Sequence, residues 1–379
     1  MMQKNEVLEC KRRILIVFGT RPDAIKMCPV VMSLKRRKFF ETKVCVSGQH
    51  REMLDEVTDF FRINPEYDLN VMTPDQDLFG VTARVMQGMK KVLTDFRPDY
   101  VLVHGDTTTA LAASLSAYYM KIKIGHVEAG LRTGDKNSPF PEEINRKVAG
   151  ALADFHFAPT LKAKNNLIKE GVSSDNITVT GNTAIDALYI TLRKLKAGRF
   201  KPDMNLMPNK RLILVTAHRR ESFGRGIRNI CMALKELAIR NKDIYIVYPV
   251  HPNPNVLEPV NKYLASVENI LLTAPLDYRT FVYLMDKSFL ILTDSGGIQE
   301  EAPSLGKLVL VLRELTERPE AVGAGTVRLV GTDRKKIVAE TQQLLDSKEE
   351  YRLMSKKINP YGDGKASDRI SGFLLNFYE

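Results

Sequence analysis

A glycine pair at a predicted strand-to-helix turn is a first place where the sequence indicates chemistry. The apolar run at residues 289–293 leads into 294–297 (DSGG), and a helical pattern begins at Ile298. Glycines let a backbone approach a ligand closely, and the free N–H groups at a helix start favour anions. The turn is therefore a candidate for binding a phosphate or diphosphate, with Glu300 and Glu301 placed to accept hydrogen bonds from a ribose. A tight turn without a ligand explains the same residues about equally well.

A second set of candidate residues follows the predicted strands of the first half of the chain. Arg21, Asp106 and Glu128 each come shortly after an apolar run. In an open parallel sheet, ligands bind beyond the carboxyl ends of the strands, so these side chains should gather at one edge. Lys26 adds a second cation near a helix start, which an anionic ligand explains better than solvated charges. Carboxylates clustered there suit acid–base chemistry, although Glu142 alone is explained more simply as a first-turn carboxylate that complements a helix dipole.

The elements that must position these residues alternate between strands and helices. Strands are predicted at residues 13–18, 43–46, 100–103, 121–127, 155–158, 177–180, 211–215, 243–248, 270–273, 289–293, 308–311 and 327–330. Helical patterns lie between them, as in right-handed βαβ units. The fold class is therefore α/β: two Rossmann-like parallel-sheet domains facing a central cleft, the GT-B glycosyltransferase-like architecture. We assign residues 1–180 and the C-terminal helix 365–379 to the first domain, and residues 181–364 to the second.

Composition restricts the class of protein. Hydrophobic residues make up 44% and charged residues 27% of the 379 residues, the profile of a soluble globular protein. No apolar run approaches the ~20 residues that a membrane helix needs, and no secretion signal is recognisable. The four cysteines have no metal-site spacing and resemble reduced thiols. We expect a cytoplasmic protein without membrane contact, in which the residues before Arg12 form a loose tail.

Charge and absent motifs narrow the function further. The net charge of +11 comes from scattered basic residues, so an anionic small substrate or simple solubility explains it and no nucleic-acid partner is expected. The chain contains neither a Walker GxxxxGK[ST] motif nor GxGxxG, and its histidines lack HExxH spacing. We therefore expect neither a metal nor a cofactor.

A set of motifs spread along nearly the whole chain resembles those of the bacterial non-hydrolysing UDP-N-acetylglucosamine 2-epimerases. These motifs are FGTRPDAIK (18–26), QHREMLD (49–55), VHGDTTT (103–109), GHVEAGLRTGD (125–135), PEEINR (141–146), GNTAIDAL (181–188), AHRRESFG (217–224), HPNP (251–254), TDSGGIQEEAPSLGK (293–307) and ERPEAVGAGT (317–326). The resemblance implies reversible conversion of UDP-N-acetylglucosamine to UDP-N-acetylmannosamine for cell-envelope polysaccharides. The family eliminates UDP to give 2-acetamidoglucal and then adds UDP back, and its members are usually homodimers.

The resemblance also implies roles for individual residues. The catalytic residues would be Asp106, Glu128, Glu142 and His218. The residues that bind substrate or UDP would be Arg21, Lys26, Asp106, Glu128, Arg146, His218, Leu276, Phe281, Ser295, Gly296, Gly297, Glu301 and Arg318. Some members bind a second UDP-N-acetylglucosamine as an activator, and Gln49, Arg219 and His251 resemble that site. Which carboxylate removes the C2 proton stays open.

One departure from the family pattern lies in the first motif, which more often reads GTRPEA. Asp23 is one methylene shorter than the usual glutamate, and we expect little effect because Arg21 and Lys26 are intact. An arginine that some members carry near residues 75–76 is missing, which puts regulation by substrate in doubt. Three other functions remain open at this point: a glycosyltransferase on the same fold, a hydrolysing 2-epimerase and a non-enzymatic nucleotide-sugar sensor.

Overall fold

The structure is a computed structural model that describes residues 11–48, 51–73, 77–207 and 209–376. It divides into two compact units. The first contains the chain up to Ala187 and again from Gly362, and the second contains Leu188–Tyr361. Among the described residues, no helix is both long and apolar enough to cross a membrane.

Strands and helices alternate along the described chain. The strands are β1 (Arg12–Phe18), β2 (Phe40–Val46), β3 (Tyr67–Asp68), β4 (Tyr100–His104), β5 (Lys123–Val127), β6 (Phe155–Ala158), β7 (Ile177–Val179), β8 (Arg211–Thr216), β9 (Ile244–Pro249), β10 (Ile270–Thr273), β11 (Leu290–Thr293), β12 (Leu308–Val311) and β13 (Val327–Leu329). The α-helices are α1 (Arg21–Lys35), α2 (Arg51–Phe61), α3 (Leu78–Phe96), α4 (Thr108–Tyr119), α5 (Glu142–Leu152), α6 (Leu161–Lys169), α7 (Thr183–Ala197), α8 (Arg225–Arg240), α9 (Pro254–Leu264), α10 (Tyr278–Lys287), α11 (Gly296–Glu301), α12 (Pro319–Gly323), α13 (Arg334–Asp346), α14 (Lys348–Ser355) and α15 (Ala366–Asn376).

Each unit is built on one parallel sheet, and the two sheets have the same order. The first sheet runs β3-β2-β1-β4-β5-β6-β7, and the second runs β10-β9-β8-β11-β12-β13. In both sheets the first strand lies inside, between the second strand and the fourth, so the direction of winding reverses there. Such a reversal is the topological switch point at which open α/β sheets bind ligands. The predicted repeat of architecture in two parallel α/β domains is confirmed.

Continuous apolar runs form the central strands because both faces of each sheet are covered. Ile14, Leu15 and Ile16 of β1 are all fully buried, as expected for a parallel sheet with helices on either side. The C-terminal helix α15 packs in the first unit: the hydroxyl of Ser33 on α1 donates to Asp368 Oδ1 at 2.7 Å. Asp186 accepts hydrogen bonds from the first backbone N–H groups of α15.

Some predicted boundaries were wrong. The strand predicted from residue 121 begins at Lys123, because Lys121 adopts a left-handed φ of 57°. The helical C-terminal region is broken at Ser347, whose side chain caps α14 by accepting the N–H of Glu350. The helix predicted from Ile298 begins at Gly296, so the two glycines form its first residues. The predicted tail before residue 11 lies outside the described residues.

Candidate active site

The switch point of the first sheet is occupied by the start of α1. Thr20 is the N-cap, and its side chain and that of Asp23 exchange hydrogen bonds with each other's backbone N–H groups. This capping box satisfies two otherwise unpaired donors and fixes the Asp23 side chain. Arg21 is the first residue of the helix and Lys26 lies in its second turn, so both predicted cations are on α1.

A histidine at the end of β4 lies between two carboxylates. His104 Nδ1 is 3.0 Å from Asp23 Oδ1, and its Nε2 is 3.7 Å from Glu128 Oε1. The second distance is that of an ion pair rather than a hydrogen bond. His104 is 4% exposed, and within the described part of the chain its buried Nε2 has no hydrogen-bond partner. Because both nitrogens face carboxylate oxygens, the arrangement favours a cationic ring.

Glu128 follows β5 and accepts hydrogen bonds from two side chains. Its Oε2 accepts hydrogen bonds from Lys26 Nζ at 2.5 Å and from Asn182 Nδ2 at 2.7 Å. Glu128 has a φ of 62°, in the left-handed region that non-glycine residues seldom adopt. Burial alone would raise the pKa of Glu128, but Lys26 and His104 outweigh it and hold that pKa well below the usual range. Glu128 is therefore an ionised carboxylate with fixed donors.

Asp106, two residues beyond β4, has a different environment. Its carboxylate accepts a hydrogen bond from Arg146 Nη2 on α5, and its backbone carbonyl accepts one from Asn145 Nδ2 at 2.9 Å. Burial raises the pKa of Asp106, Arg146 opposes that rise and the charge of Glu128 adds to it. The pKa values of these two carboxylates are thus shifted in opposite directions, which is how one site obtains an acid and a base.

The two glutamates at the start of α5 are not equivalent. Glu143 is fully buried and accepts hydrogen bonds from the backbone N–H groups of Thr133 and Gly134, both at 3.1 Å. It also lies 3.3 Å from Arg146 Nη1. Glu142, the predicted catalytic residue, is half-buried, and its Oε2 is a buried oxygen with no hydrogen-bond partner among the described residues. Glu143 thus stabilises the loop and Arg146, whereas no such role is seen for Glu142 Oε2 in the described part of the chain.

The switch point of the second sheet is organised by Asp294, at the end of β11. This fully buried carboxylate accepts hydrogen bonds through Oδ2 from the backbone N–H groups of His218 at 2.5 Å and Arg219 at 2.7 Å. Its Oδ1 lies 3.5 Å from His218 Nδ1. Burial lowers the pKa of His218, and Asp294 opposes this shift only in part. The His218 ring is therefore favoured in its neutral form.

The glycine turn lies beside the side chain of Arg318. A Cβ atom on Gly296 would lie 3.6 Å from Arg318 Nη2, in ordinary van der Waals contact, so the glycine lies directly beside this guanidinium. Arg318 Nε donates to Glu300 Oε1, and Glu300 is almost fully buried. Of the two glutamates considered for a ribose, Glu300 therefore holds Arg318, and half-buried Glu301 stays the candidate.

The remaining predicted residues are placed as follows. The His251 ring stacks on the His218 ring with centroids 5.4 Å apart and planes 13° apart. Arg219 is half-buried beside His218, and Gln49 lies outside the described residues. Leu276 and Phe281, predicted to bind substrate or UDP, are half-buried just before α10 and within it. Ser295 is the N-cap of α11, but its side chain makes no capping hydrogen bond.

Three residues of these clusters were missed from the sequence. His104 has no predicted role, although the motif HGD places it two residues before Asp106. Asn182 and Asp294 lie inside quoted motifs but were given no role. The sequence shows the types of these residues and their positions at strand ends, but it does not show which residues they contact.

The fold and the two clusters define a GT-B-like protein with a cluster of carboxylates and a histidine in one α/β unit and a glycine turn beside an arginine in the other. A model of the UDP-N-acetylglucosamine 2-epimerase family matches residues 32–375. The chain belongs to this family.

Individual relatives agree with the family assignment. UDP-N-acetylglucosamine 2-epimerase of Salmonella typhimurium is 57% identical over 371 residues, which is 96% of this chain and 99% of the relative. The Campylobacter jejuni enzyme of the same name is 55% identical over 373 residues, covering 96% and 97%. A crystal structure of the Neisseria meningitidis enzyme bound to UDP-GlcNAc has a TM-score of 0.87 at 51% identity, covering 96% of this chain and 100% of that one. A glycosyltransferase from Rickettsia africae, at 14% identity and a TM-score of 0.60, covers 97% and 99% and shares the fold alone.

Proposed function

We propose that this chain interconverts UDP-N-acetylglucosamine and UDP-N-acetylmannosamine, by eliminating UDP to give 2-acetamidoglucal and adding UDP back. The observation that carries the proposal is the pair of carboxylates after adjacent strands β4 and β5. Asp106 is bound by Arg146 and has a raised pKa, whereas Glu128 is bound by Lys26 and Asn182 and has a lowered one. Moving the C2 proton needs one group that accepts it and one that donates it, which such a pair supplies.

We assign the acid–base roles to Asp106, Glu128 and Glu142. The C2–H of the sugar is not beside a carbonyl, so enolisation is unavailable and the proton must be removed as UDP departs. Glu128, held ionised, suits the acceptor, and Asp106, with its raised pKa, suits a donor. Glu142 is the third carboxylate of the set, and among the described residues its buried Oε2 has no hydrogen-bond partner. Arg21 and Lys26 supply positive charge from α1 for the anionic nucleotide-sugar.

We assign binding of UDP to the second unit. His218 and Arg318, with Ser295, Gly296 and Gly297, would hold the diphosphate, and Glu301 would bind the ribose. Leu276 and Phe281 would line the uracil pocket. Donors directed at departing UDP stabilise the charge that develops on it. Ser295→Ala should then release more 2-acetamidoglucal, and loss of activity without more released glucal would contradict this assignment.

One incubation separates the proposed reaction from the alternatives. Purified protein is given UDP-N-acetylglucosamine alone in deuterated buffer, and the products are followed by NMR. We expect UDP-N-acetylmannosamine at equilibrium, with deuterium at C2 of both sugars. Accumulation of free N-acetylmannosamine and UDP would indicate a hydrolysing enzyme. Turnover only after an acceptor is added would indicate a glycosyltransferase, and binding without turnover a sensor.

We further propose that the chain is a cytoplasmic homodimer that supplies N-acetylmannosamine units for envelope polysaccharide. Cys45 and Cys231 are buried free thiols, in keeping with a reducing compartment. Exposed apolar side chains at the end of α4 and before α5, among them Tyr119 at 66% and Phe140 at 68%, offer a surface for a second copy. Light scattering should give about twice the chain mass of 42.8 kDa.

A further inference from the structure

The residues between α1 and Glu128 form a continuous buried chain that the proposed roles do not use. Asp23 Oδ1 lies 3.0 Å from His104 Nδ1, and His104 Nε2 lies 3.7 Å from Glu128 Oε1. Both Asp23 and His104 are 4% exposed. This chain begins at a helix N-terminus and ends on the carboxylate proposed to accept the C2 proton.

Asp23 is fixed before it meets the histidine. Its Oδ2 accepts the backbone N–H of Thr20 at 3.3 Å, and its own N–H donates to the Thr20 hydroxyl at 3.4 Å. Oδ1 is therefore the atom that binds His104, and it directs a proton to Nδ1. Nε2 then faces Glu128 Oε1. Without a proton, its lone pair would oppose a carboxylate oxygen; with one, it places positive charge beside that oxygen.

Two other buried histidines show that burial by itself does not favour a cationic ring. His126 on β5 bonds the Gly105 carbonyl, and burial lowers its pKa to about 3. His156 on β6 is also buried, and burial lowers its pKa to about 4. For His104, burial acts in the same direction, but Glu128 and Asp23 outweigh it and raise the pKa to about 9. The two carboxylates thus distinguish His104 from its neighbours.

The charged and titratable groups around His104 come from three elements. They are Asp23 and Lys26 on α1, His126 on β5, and Glu128 just after β5. Asp106 lies close enough to Glu128 and Asp23 for their charges to raise its pKa. The negative groups that meet the His104 ring atoms directly are Asp23 and Glu128, so the local balance favours the cation.

We propose that Asp23 and His104 form a positioning relay, in which a cationic His104 holds Glu128 ionised and aims its carboxylate at the substrate. The inference deepens the proposed epimerisation and rests on it. Lys26 and Asn182 hold one oxygen of Glu128, and His104 faces the other. A carboxylate fixed at both oxygens loses little orientation before proton transfer. His104 acts through Glu128, so it is a positioning residue rather than a catalytic one.

The main test is His104→Asn, in which the amide can keep the hydrogen bond to Asp23 but reaches no further toward Glu128. We expect kcat to fall about 10- to 100-fold and KM to stay within about threefold. Loss of the cation should move the acidic limb of the kcat–pH profile to higher pH and remove an alkaline limb near the His104 pKa of about 9. His104→Gln, which can donate a neutral hydrogen bond to Glu128, should recover part of kcat but not the pH profile.

His156→Gln is the matched control, because it also replaces a buried strand histidine, but one whose Nδ1 has no hydrogen-bond partner among the described residues. It should keep the wild-type pH profile. A His104→Asn enzyme with the same kcat and pH profile as this control would overturn the relay. If the wild-type protein does not epimerise the substrate at all, the proposed function fails independently of the variants.

A second measurement tests the relay without turnover. Histidine ring signals are followed by NMR against pH in wild-type protein labelled with ¹³C-histidine, and the His104 signal is identified by its loss in His104→Asn. We expect it to titrate near pH 9, and at lower pH in Asp23→Asn and in Glu128→Gln. Titration at or below the ordinary value of about 6.5 in the wild-type protein would overturn the relay even if the enzyme is active.

Discussion

His104 and His218 each lie within 4 Å of a buried carboxylate at a sheet switch point, yet their pKa values shift in opposite directions. Burial acts against the charged form of both rings. For His104, Glu128 and Asp23 outweigh burial, and the pKa rises to about 9. For His218, Asp294 alone does not outweigh burial, and the pKa falls below its ordinary value.

The other partners of the two carboxylates explain the difference. Asp294 Oδ2 is committed to two backbone N–H groups, and Oδ1 lies 3.5 Å from His218. Glu128 accepts from side chains, and a second carboxylate binds the far nitrogen of His104. A histidine–carboxylate pair therefore yields a fixed cation in the first unit and a neutral ring in the second. A neutral ring can both donate and accept hydrogen bonds, whereas a cationic ring can only donate them.

The largest effect on turnover is expected for a substitution of Glu128, the carboxylate that faces His104. Glu128→Gln should reduce turnover by ~100-fold or more, because the amide cannot accept the C2 proton. The same change removes the main charge that raises the His104 pKa. Steady-state kinetics with UDP-N-acetylglucosamine measure the first effect, and circular dichroism checks that the fold is intact. Near-normal turnover would remove Glu128 from the mechanism.

Asp294→Asn tests the pair of Asp294 and His218 in the second unit. The amide oxygen can still accept the two backbone N–H groups, but the amide nitrogen then faces His218 Nδ1 and can donate to it. This removes the negative charge beside the ring and favours the tautomer with its proton on Nε2, so kcat should fall roughly 10-fold, with a loss of about 1–3 kcal/mol in unfolding free energy. Asp243→Asn, a control at an exposed ion pair with Arg211 in the same unit, should change neither. Equal kinetics in the two variants would show that Asp294 has no role in placing His218.

The raised pKa of His104 predicts a pH-dependent contribution to stability. Because the folded-state value of about 9 exceeds the unfolded value of about 6.5, this contribution is complete below about pH 6.5 and is lost as the pH rises through about 9. The difference in unfolding free energy between the wild type and His104→Asn should shrink by on the order of 1–3 kcal/mol between about pH 6 and about pH 9.5. Urea denaturation at both pH values measures it, and an unchanged difference would mean that His104 is neutral.

The smallest effect is expected for Asp23→Glu. A glutamate at this position completes the usual form of the capping box and keeps a carboxylate within reach of His104. Its kcat should stay within about threefold of the wild type, whereas Asp23→Asn, which removes the charge, should be clearly slower. A large loss in Asp23→Glu would show that the shorter side chain is required for the contact with His104.

Elements with a clear apolar pattern were predictable, and those without one were not. The apolar run in β1 is continuous because both faces of the sheet are covered, and this strand was predicted correctly. The long helix α3 was missed: it contains Gly80 and Gly88, which weaken a helical pattern. A Cβ atom on Gly88 would lie 2.8 Å from Leu69, so the glycine is there for packing that the local pattern does not reveal. Strand β3 has two residues, too few to show any period.

The sequence alone determined the α/β class, its repetition in two units, and the placement of Asp106, Glu128 and the glycine turn after strands. Those follow from local apolar patterns and from the rule that parallel strands end at one edge. Only the tertiary structure decided which side chains meet there. Asp23 lies 81 residues before His104 in the chain, and Asp294 lies 76 residues after His218. Pairing over such separations, and the burial that sets each pKa, depend on how the strands are ordered in the sheet, which no local pattern encodes.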